Sequence, residues 1–246
     1  MPLDMEPARS NNQVLGQGGP RYAPGMALPG SDAHKVLRNT YLLLALTMIP
    51  TVIGAYIGMA TGAVMVLHPM AGTLIMLAAV IGLQYAIVAN RNSHMGVVLL
   101  LLMTGILGWW LGPLLSYVLA LGNGAALVGY AAGGTALIFF VMGAIATTTK
   151  RDFGFMGKFL FVGMMALLVA MIANMFLHIP ALALTISTLV IVVFSLFLLH
   201  DLNRIVRGGE TNYIIATTGV YMSLFNIFAN LLTILAMLGG GGGSRR

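Results

Sequence analysis

The fold is decided by apolar runs, of which residues 182–206 are typical: LALTISTLVIVVFSLFLLHDLNRIV. At 1.5 Å per residue, a helix of about 20 residues crosses the roughly 30 Å hydrocarbon core of a bilayer. Runs of this kind predict seven spans, at 38–62, 70–89, 95–118, 126–148, 158–178, 182–206 and 212–238. The breaks between them contain Gly, Pro, Asn or charged residues, which end helices. The sequence therefore predicts an all-α integral membrane protein, a bundle of seven transmembrane helices.

The composition supports lipid as the surrounding solvent. Of 246 residues, 59% are hydrophobic and 7% are charged, whereas a soluble domain has about 25% charged residues. The net charge of +6 does not indicate a nucleic-acid partner, because no polar domain clusters basic residues with aromatic ones. The absence of cysteine excludes disulfides, thiolate metal sites and cysteine nucleophiles.

Three segments follow from this pattern. Residues 1–33 are polar and rich in Gly, Pro and Asn, which predicts a disordered tail. Residues 34–238 form the membrane domain, and residues 239–246 form a Gly/Ser/Arg tail that is either native or left over from an added tag. The first apolar run begins near Tyr41, so we expect an uncleaved anchor rather than a cleaved signal peptide.

The basic residues predict the orientation. The loops after spans one, three and five contain no Lys or Arg. Ten of the twelve basic residues fall on the other side: Arg9, Arg21, Lys35, Arg38, Arg91, Lys150, Arg151, Lys158, Arg204 and Arg207. The positive-inside rule assigns that side to the cytoplasm. We expect a plasma-membrane protein with a cytoplasmic N-terminus and its C-terminus on the opposite side.

Asp201 is the acidic residue inside a predicted span, and two interpretations remain open for it. A carboxylate in a bilayer is costly and is by default a functional candidate. It is either a titratable gate or cation site, or one half of a salt bridge with Arg204, which lies three residues later on the same helix face. The neighbouring His200 points in another direction on a helix.

The last span carries a polar stripe on one helix face, made of Ser223, Asn226, Asn230 and Thr233. The stripe predicts either hydrogen bonds between helices or one wall of a polar pathway. Gln84 and Asn174 are isolated polar residues in other spans, and we interpret them as structural.

Four GxxxG spacings lie within the spans: Gly54/Gly58, Gly58/Gly62, Gly108/Gly112 and Gly129/Gly133. Small residues four apart let two helix backbones approach closely. The spacings indicate either a dimer seam or packing inside one bundle, and the second is favoured because seven helices must pack.

Several enzyme classes lack their residues. The three lysines lie in segments predicted to be cytoplasmic, so none can hold retinal, and the sequence contains no HExxH motif, GxSxG elbow or P-loop. The five histidines divide between the two membrane faces, which argues against one metal centre. We therefore expect no enzyme activity, no cofactor and no metal site. A small-molecule exporter is a further alternative, but no charged residue suited to binding a substrate is evident.

The C-terminal third resembles the Bax inhibitor-1 (TMBIM) family. The resemblance rests on HDLNRI at 200–205, GGETNYI at 208–214 and YMSLFNIF at 221–228. Four further segments are similar to its proteobacterial YccA-like branch: HKVLRNTY at 34–41, LGP at 111–113, GGTAL at 133–137 and TTKRD at 148–152. The similarity covers about 34–238.

The resemblance implies seven helices, an inner-membrane setting and no catalysis. In some members two aspartates on the last two helices form a proton-sensitive latch on a calcium leak. The first maps onto Asp201 and the second onto Ser223, which cannot ionise, so that latch cannot operate here as such. A hairpin folded about Gly208-Gly209 would put Asp201 level with about Thr217.

Two functional hypotheses follow. The YccA-like branch resembles binders and modulators of the FtsH-type membrane protease, and a polar cytoplasmic tail is a segment that such a protease can grip. The alternative is a pH-sensitive calcium or proton leak channel gated around Asp201, with the Ser223–Thr233 stripe as its path.

Overall fold

The structure is a computed structural model that describes residues 31–62, 69–151 and 153–239. The described chain forms seven helices: α1 Ser31–Thr61, α2 Pro69–Ala89, α3 His94–Leu119, α4 Gly124–Thr148, α5 Met156–Leu177, α6 Pro180–Val206 and α7 Tyr213–Gly239. All seven are long and apolar enough to cross a membrane. The predicted all-α, seven-span architecture is confirmed.

The helix ends lie within two residues of the predicted spans, with one exception. Helix α1 begins at Ser31, seven residues before the predicted start at 38. Its 31 residues reach about 46 Å, which exceeds the roughly 30 Å hydrocarbon core. The apolar run sets where the chain enters lipid, but the helix continues past that boundary, so the turn that carries Lys35 lies beyond the predicted span.

Two short connections show how local sequence ends the helices. His178 adopts a left-handed conformation (φ 53°) after α5. Pro180 starts α6, where the N–H group that proline lacks would have no hydrogen-bond partner within the helix. Asn174 closes this turn, because its Oδ1 accepts a hydrogen bond from the Ile179 N–H at 3.1 Å. After α6, Gly208 takes a positive φ of 74° that a side chain would disfavour.

Helix α7 lies at the centre of the bundle. It packs against α1, α2, α3, α4 and α6 in the described chain, most extensively against α6. Helix α5 packs chiefly against α6, and α2 packs mainly against α3, so these two helices lie at the periphery. The fully buried side chains of α7 include Val220, Tyr221 and Ile227. The central position of α7 explains why its Thr217, Thr218 and Ser223 are buried.

The glycine spacings of α1 and α3 pack inside one chain. A Cβ at Gly54 or Gly58 would overlap the backbone of α3, and one at Gly108 or Gly112 would overlap the backbone of α1. These glycines let the two helices touch backbone to backbone. Gly62 ends α1 with open space around it, and Gly129 and Gly133 on α4 also face open space. Of the four spacings, only Gly54/Gly58 and Gly108/Gly112 thus pack helices together within the described chain.

Several predicted features fall wholly or partly outside the described residues. They are most of the 1–33 tail with Arg9 and Arg21, the break at His68, the loop residue Asp152, and the 239–246 tail beyond Gly239.

Candidate functional site

The segment His200–Arg207 directs its polar side chains to different neighbours, because successive residues on a helix point about 100° apart. His200 Nδ1 donates to the Phe153 carbonyl at 3.0 Å. Asn203, which is 1% exposed, accepts from the Phe153 N–H at 3.2 Å and donates to the Arg151 carbonyl at 3.3 Å. Three hydrogen bonds thus tie the end of α6 to the α4–α5 loop.

Asn212 ties the α6–α7 loop to the α2–α3 loop. Its Nδ2 donates to the Arg91 carbonyl at 2.7 Å and to Asn92 Oδ1 at 3.1 Å. Its Oδ1 accepts from the N–H groups of Ile214 and Ile215, which begin α7. The three basic loops predicted to share one side of the membrane therefore meet at one end of the bundle.

Asp201 faces away from the loop contacts and lies against α7. A Cβ built at Gly219 would lie only 2.6 Å from Asp201 Oδ2, so the glycine makes room for the carboxylate. Asp201 is level with Gly219 rather than with Thr217, because residues 207–212 are not helical and the hairpin turns near Glu210. Ser223 lies one turn further along α7, about 6 Å at 1.5 Å per residue.

A cavity of about 170 Å³ opens beside this carboxylate, between α2, α6 and α7. Its polar lining consists of Gln84, Asp201, Arg204, Glu210 and Thr218. Two carboxylates against one guanidinium leave one formal negative charge at the cavity. The cavity can therefore attract a cation, and its few oxygen donors match hard cations rather than soft metals.

Arg204 pairs with Glu210 instead of Asp201. Its Nη2 lies 3.2 Å from Glu210 Oε2, and its Nε donates to the Gly209 carbonyl at 3.3 Å. Within residues 153–239, where all these groups lie, no ion pair joins Arg204 to Asp201. The salt bridge therefore fastens the α6–α7 loop, and the Asp201 carboxylate is left facing the cavity.

The polar stripe of α7 does not reach this cavity. Asn226 Nδ2 donates to the Met222 carbonyl, Asn230 Nδ2 to the Asn226 carbonyl and Thr233 Oγ1 to the Ala229 carbonyl, at 2.8–2.9 Å. Each bond returns to the residue four positions earlier in α7. The structure thus brings Asp201 and Arg204 together and places Ser223, Asn226 and Asn230 elsewhere.

Three residues of the site were missed by the sequence reasoning. The sequence predicts a structural role for Gln84 and singles out neither Glu210 nor Gly219 as a site residue. All three line the cavity beside Asp201. The hairpin register carried a signal for Gly219, because a glycine opposite a buried carboxylate marks a close approach. Gln84 belongs to a distant span, and no local pattern connects it to Asp201.

No group of three His, Asp or Glu side chains able to hold a metal ion occurs in the described parts of the chain.

Comparison with known proteins agrees with this architecture. The family model described as "Inhibitor of apoptosis-promoting Bax1" matches residues 33–240. The chain is 42% identical over 204 residues to "Modulator of FtsH protease YccA" of Escherichia coli (strain K12), covering 83% of this chain and 90% of the relative. It is equally similar, with the same coverage, to "Inner membrane protein YccA" of Escherichia coli O6:H1.

A membrane protein of Vibrio cholerae is 39% identical over 207 residues, which cover 84% of this chain and 91% of the relative. The family match spans all seven described helices, including the segment that carries Asp201 and its cavity. The names modulator and inhibitor both indicate proteins that act without catalysis. The chain belongs to the Bax inhibitor-1 family of multi-pass membrane proteins.

Proposed function

We propose that the protein is a non-enzymatic inner-membrane modulator of an FtsH-type membrane protease, acting in membrane-protein quality control or stress protection. One observation carries this proposal: 42% identity over 204 residues with a relative named as a modulator of that protease. The similarity covers 90% of the relative, so no large part of that protein lacks a counterpart here.

The loop end of the bundle supplies a surface for such a partner. Arg91, Lys150, Arg151 and Arg207 are all exposed there. Their loops are held by the hydrogen bonds of Asn203 and Asn212, so the charges keep fixed relative positions. By the positive-inside rule this end is cytoplasmic, and the 1–33 tail belongs to the same side. The protease would meet a basic face together with a polar segment.

Co-purification from membranes tests the proposal. The tagged protein is expressed with an FtsH-type protease, extracted in mild detergent and captured, and the protease is detected in the eluate. Reconstituted protease is then assayed for degradation of a membrane substrate. We expect association and a slower degradation rate when this protein is present.

Two variants locate the contact. One lacks residues 1–30, and the other replaces Lys150 and Arg151 with Gln while leaving the backbone carbonyl of Arg151 in place for Asn203. Loss of association with the first variant assigns the tail as the contact, and loss with the second assigns the basic loop. If neither the full chain nor the tail-deleted chain associates with the protease, the proposal is wrong.

A second function, favoured by the position of Asp201, is a pH-sensitive calcium or proton leak. The Asp201 carboxylate faces a cavity, and the Arg204 guanidinium that lines the same cavity is paired with Glu210. An ionised carboxylate near a second one, Glu210, attracts cations. Protons and calcium would compete for the same oxygens, so acidification would weaken calcium binding.

Flux in liposomes tests this second function. Calcium and proton entry are followed with trapped indicator dyes, for the wild type, Asp201→Asn and the control Thr188→Ala, whose hydroxyl group bonds within α6 on its exposed face. We expect Asp201→Asn alone to change flux. Equal flux in all three removes Asp201 from the mechanism, and no flux in any of them removes the channel.

A further inference from the structure

A long apolar groove lies on the side of the bundle between α1 and α4, with α3 and α7 as its floor. It has a volume of about 710 Å³, within the range of ligand-binding sites. Its lining is almost wholly apolar and includes Met48, Ala55, Met59, Leu115, Ala132 and Phe228. It is separate from the Asp201 cavity, and no lining residue is shared between the two.

Three of the four hydroxyl groups that line the groove, those of Thr51, Thr135 and Tyr221, form hydrogen bonds within the protein. Thr51 Oγ1 donates to the Thr47 carbonyl at 2.7 Å and shares a hydrogen bond with the Tyr221 hydroxyl at 2.8 Å. Thr135 Oγ1 donates to the Ala131 carbonyl at 2.8 Å. The fourth hydroxyl group belongs to Tyr56, which is 71% exposed. The buried walls of the groove thus offer no free hydroxyl group to orient a polar ligand, and their chemistry fits a hydrocarbon.

The groove has the length of one leaflet. From Met48 to Met59 helix α1 rises about 17 Å, and half of the hydrocarbon core is about 15 Å. The groove is closed toward the basic loops, where the rings of Tyr41 and Phe139 join α1 to α4 with centroids 5.9 Å apart. Its other end lies near Leu119, beside the α3–α4 loop. It therefore runs from mid-bilayer to one surface.

A transmembrane helix fits this shape poorly. A helix with its side chains is 10–12 Å wide, so about 710 Å³ holds roughly four to six helical residues, far fewer than the roughly 20 that span a bilayer. A single acyl chain is narrow enough to enter the groove and extends over one leaflet. At this depth, hydrocarbon is also the component that the bilayer always supplies.

We propose that this groove is a specific lipid site that holds one acyl chain of a phospholipid from the leaflet on the α3–α4 loop side. The methyl end of the chain lies at the closed end near Met48 and Phe139, and its carboxyl end lies near Met59 and Leu119. The chain fills the space between α1 and α4 and covers the Thr51–Tyr221 hydrogen bond.

Position-specific photolabelling tests the site. The full chain is reconstituted into phosphatidylethanolamine–phosphatidylglycerol vesicles with a trace of phosphatidylcholine that carries a diazirine on its acyl chain. We expect a diazirine at the methyl end to label residues near Met48 and Phe139, and one close to the carboxyl end to label residues near Met59 and Leu119. Labels spread evenly over the outer faces of α1, α4 and α5 overturn the proposal.

Matched variants separate the groove from general lipid contact. Ala132→Phe and Ala136→Phe fill the groove, whereas Ala166→Phe adds the same ring to an exposed position on α5. We expect loss of groove labelling in the first two and unchanged labelling in the third, with thermal unfolding and gel filtration showing that each variant folds. Equal labelling in all three overturns the proposal, as does a cross-linked second copy or partner helix seated in the groove.

Discussion

Asp201 packs against Gly219 of α7, and a side chain at position 219 would overlap the Asp201 carboxylate. A Cβ at Gly219 would stand 2.6 Å from Asp201 Oδ2, so Gly219→Ala forces the carboxylate to move. The atom that must move is the end of a side chain beside a cavity, so the shift costs little, and the roughly 1 kcal/mol that Ala gains over Gly in a helix offsets it. We expect a melting temperature in detergent no lower than that of the wild type, measured by tryptophan fluorescence.

Gly163→Ala is the matched control for this substitution. Its new methyl group would lie 3.9 Å from Val193 Cγ2, an ordinary van der Waals distance, on the peripheral helix α5. Its melting temperature is therefore expected to stay the same or to rise. A melting temperature that falls in Gly219→Ala alone would show that the Asp201 carboxylate cannot move aside.

Tyr221 joins the central helix to α1 through its hydroxyl group. The group is 2.8 Å from Thr51 Oγ1 and 3.4 Å from the Thr104 carbonyl, and the residue is 1% exposed. Tyr221→Phe removes these contacts but leaves Thr51 bonded to the Thr47 carbonyl. We expect a loss of about 0.5–1.5 kcal/mol of stability.

A double-mutant cycle isolates this contact. Tyr221→Phe, Thr51→Val and the double variant are compared by denaturant unfolding in mixed micelles. Because the two hydroxyl groups bond to each other, the double variant is expected to lose less stability than the sum of the single variants. Strict additivity would mean that the contact contributes nothing.

At the scale of helices, the α1–α3 seam is the part least able to accept change. A methyl group at Gly108 would overlap the backbone of α1 around Thr51, and backbone cannot rotate aside as a side chain does. Gly108→Ala must separate the two helices, so we expect a destabilisation of about 3 kcal/mol or a failure to fold. Retention of the monodisperse peak in gel filtration after heating measures the effect.

Gly133→Ala provides the contrast, because nothing lies within 4 Å of the position where its Cβ would stand. Both glycines belong to GxxxG spacings, yet only Gly108 faces another helix of the same chain. Gly133→Ala is expected to be neutral or stabilising by up to about 1 kcal/mol. If Gly133→Ala dissociates an oligomer, the α4 spacing is a dimer seam.

For the whole molecule, the membrane environment made most of the fold predictable. Lipid requires long apolar helices with polar interruptions. Proline and glycine then mark where such helices start and end, as Pro180 and Gly208 do for α6. The start of α1 was misplaced because hydropathy marks the edge of lipid, while Ser31 marks the beginning of the helix.

The site was predictable only where a single residue broke the apolar pattern. Asp201 stands out as a carboxylate within a span, but its neighbours Gln84 and Glu210 come from other parts of the chain. The Arg204 interaction shows the same limit. Spacing allowed a partner on its own helix at Asp201, and the loop supplied Glu210 instead. Such choices depend on tertiary geometry, which helical periodicity does not encode.

The meeting of three loops at one end of the bundle leads to a topology that labelling can test. Because the chain contains no cysteine, single cysteines introduced at Ser93, Lys150, Gly122 and Ile179 report without background. In spheroplasts treated with a membrane-impermeant maleimide, we expect Gly122→Cys and Ile179→Cys to react, and Ser93→Cys and Lys150→Cys to react only after lysis. Asn212 and Asn203 bind the loops that contain Ser93 and Lys150 into one face. Opposite behaviour of Ser93→Cys and Lys150→Cys would therefore contradict the bundle itself, whereas reaction of both in intact spheroplasts would invert its orientation and move the basic face away from a cytoplasmic protease.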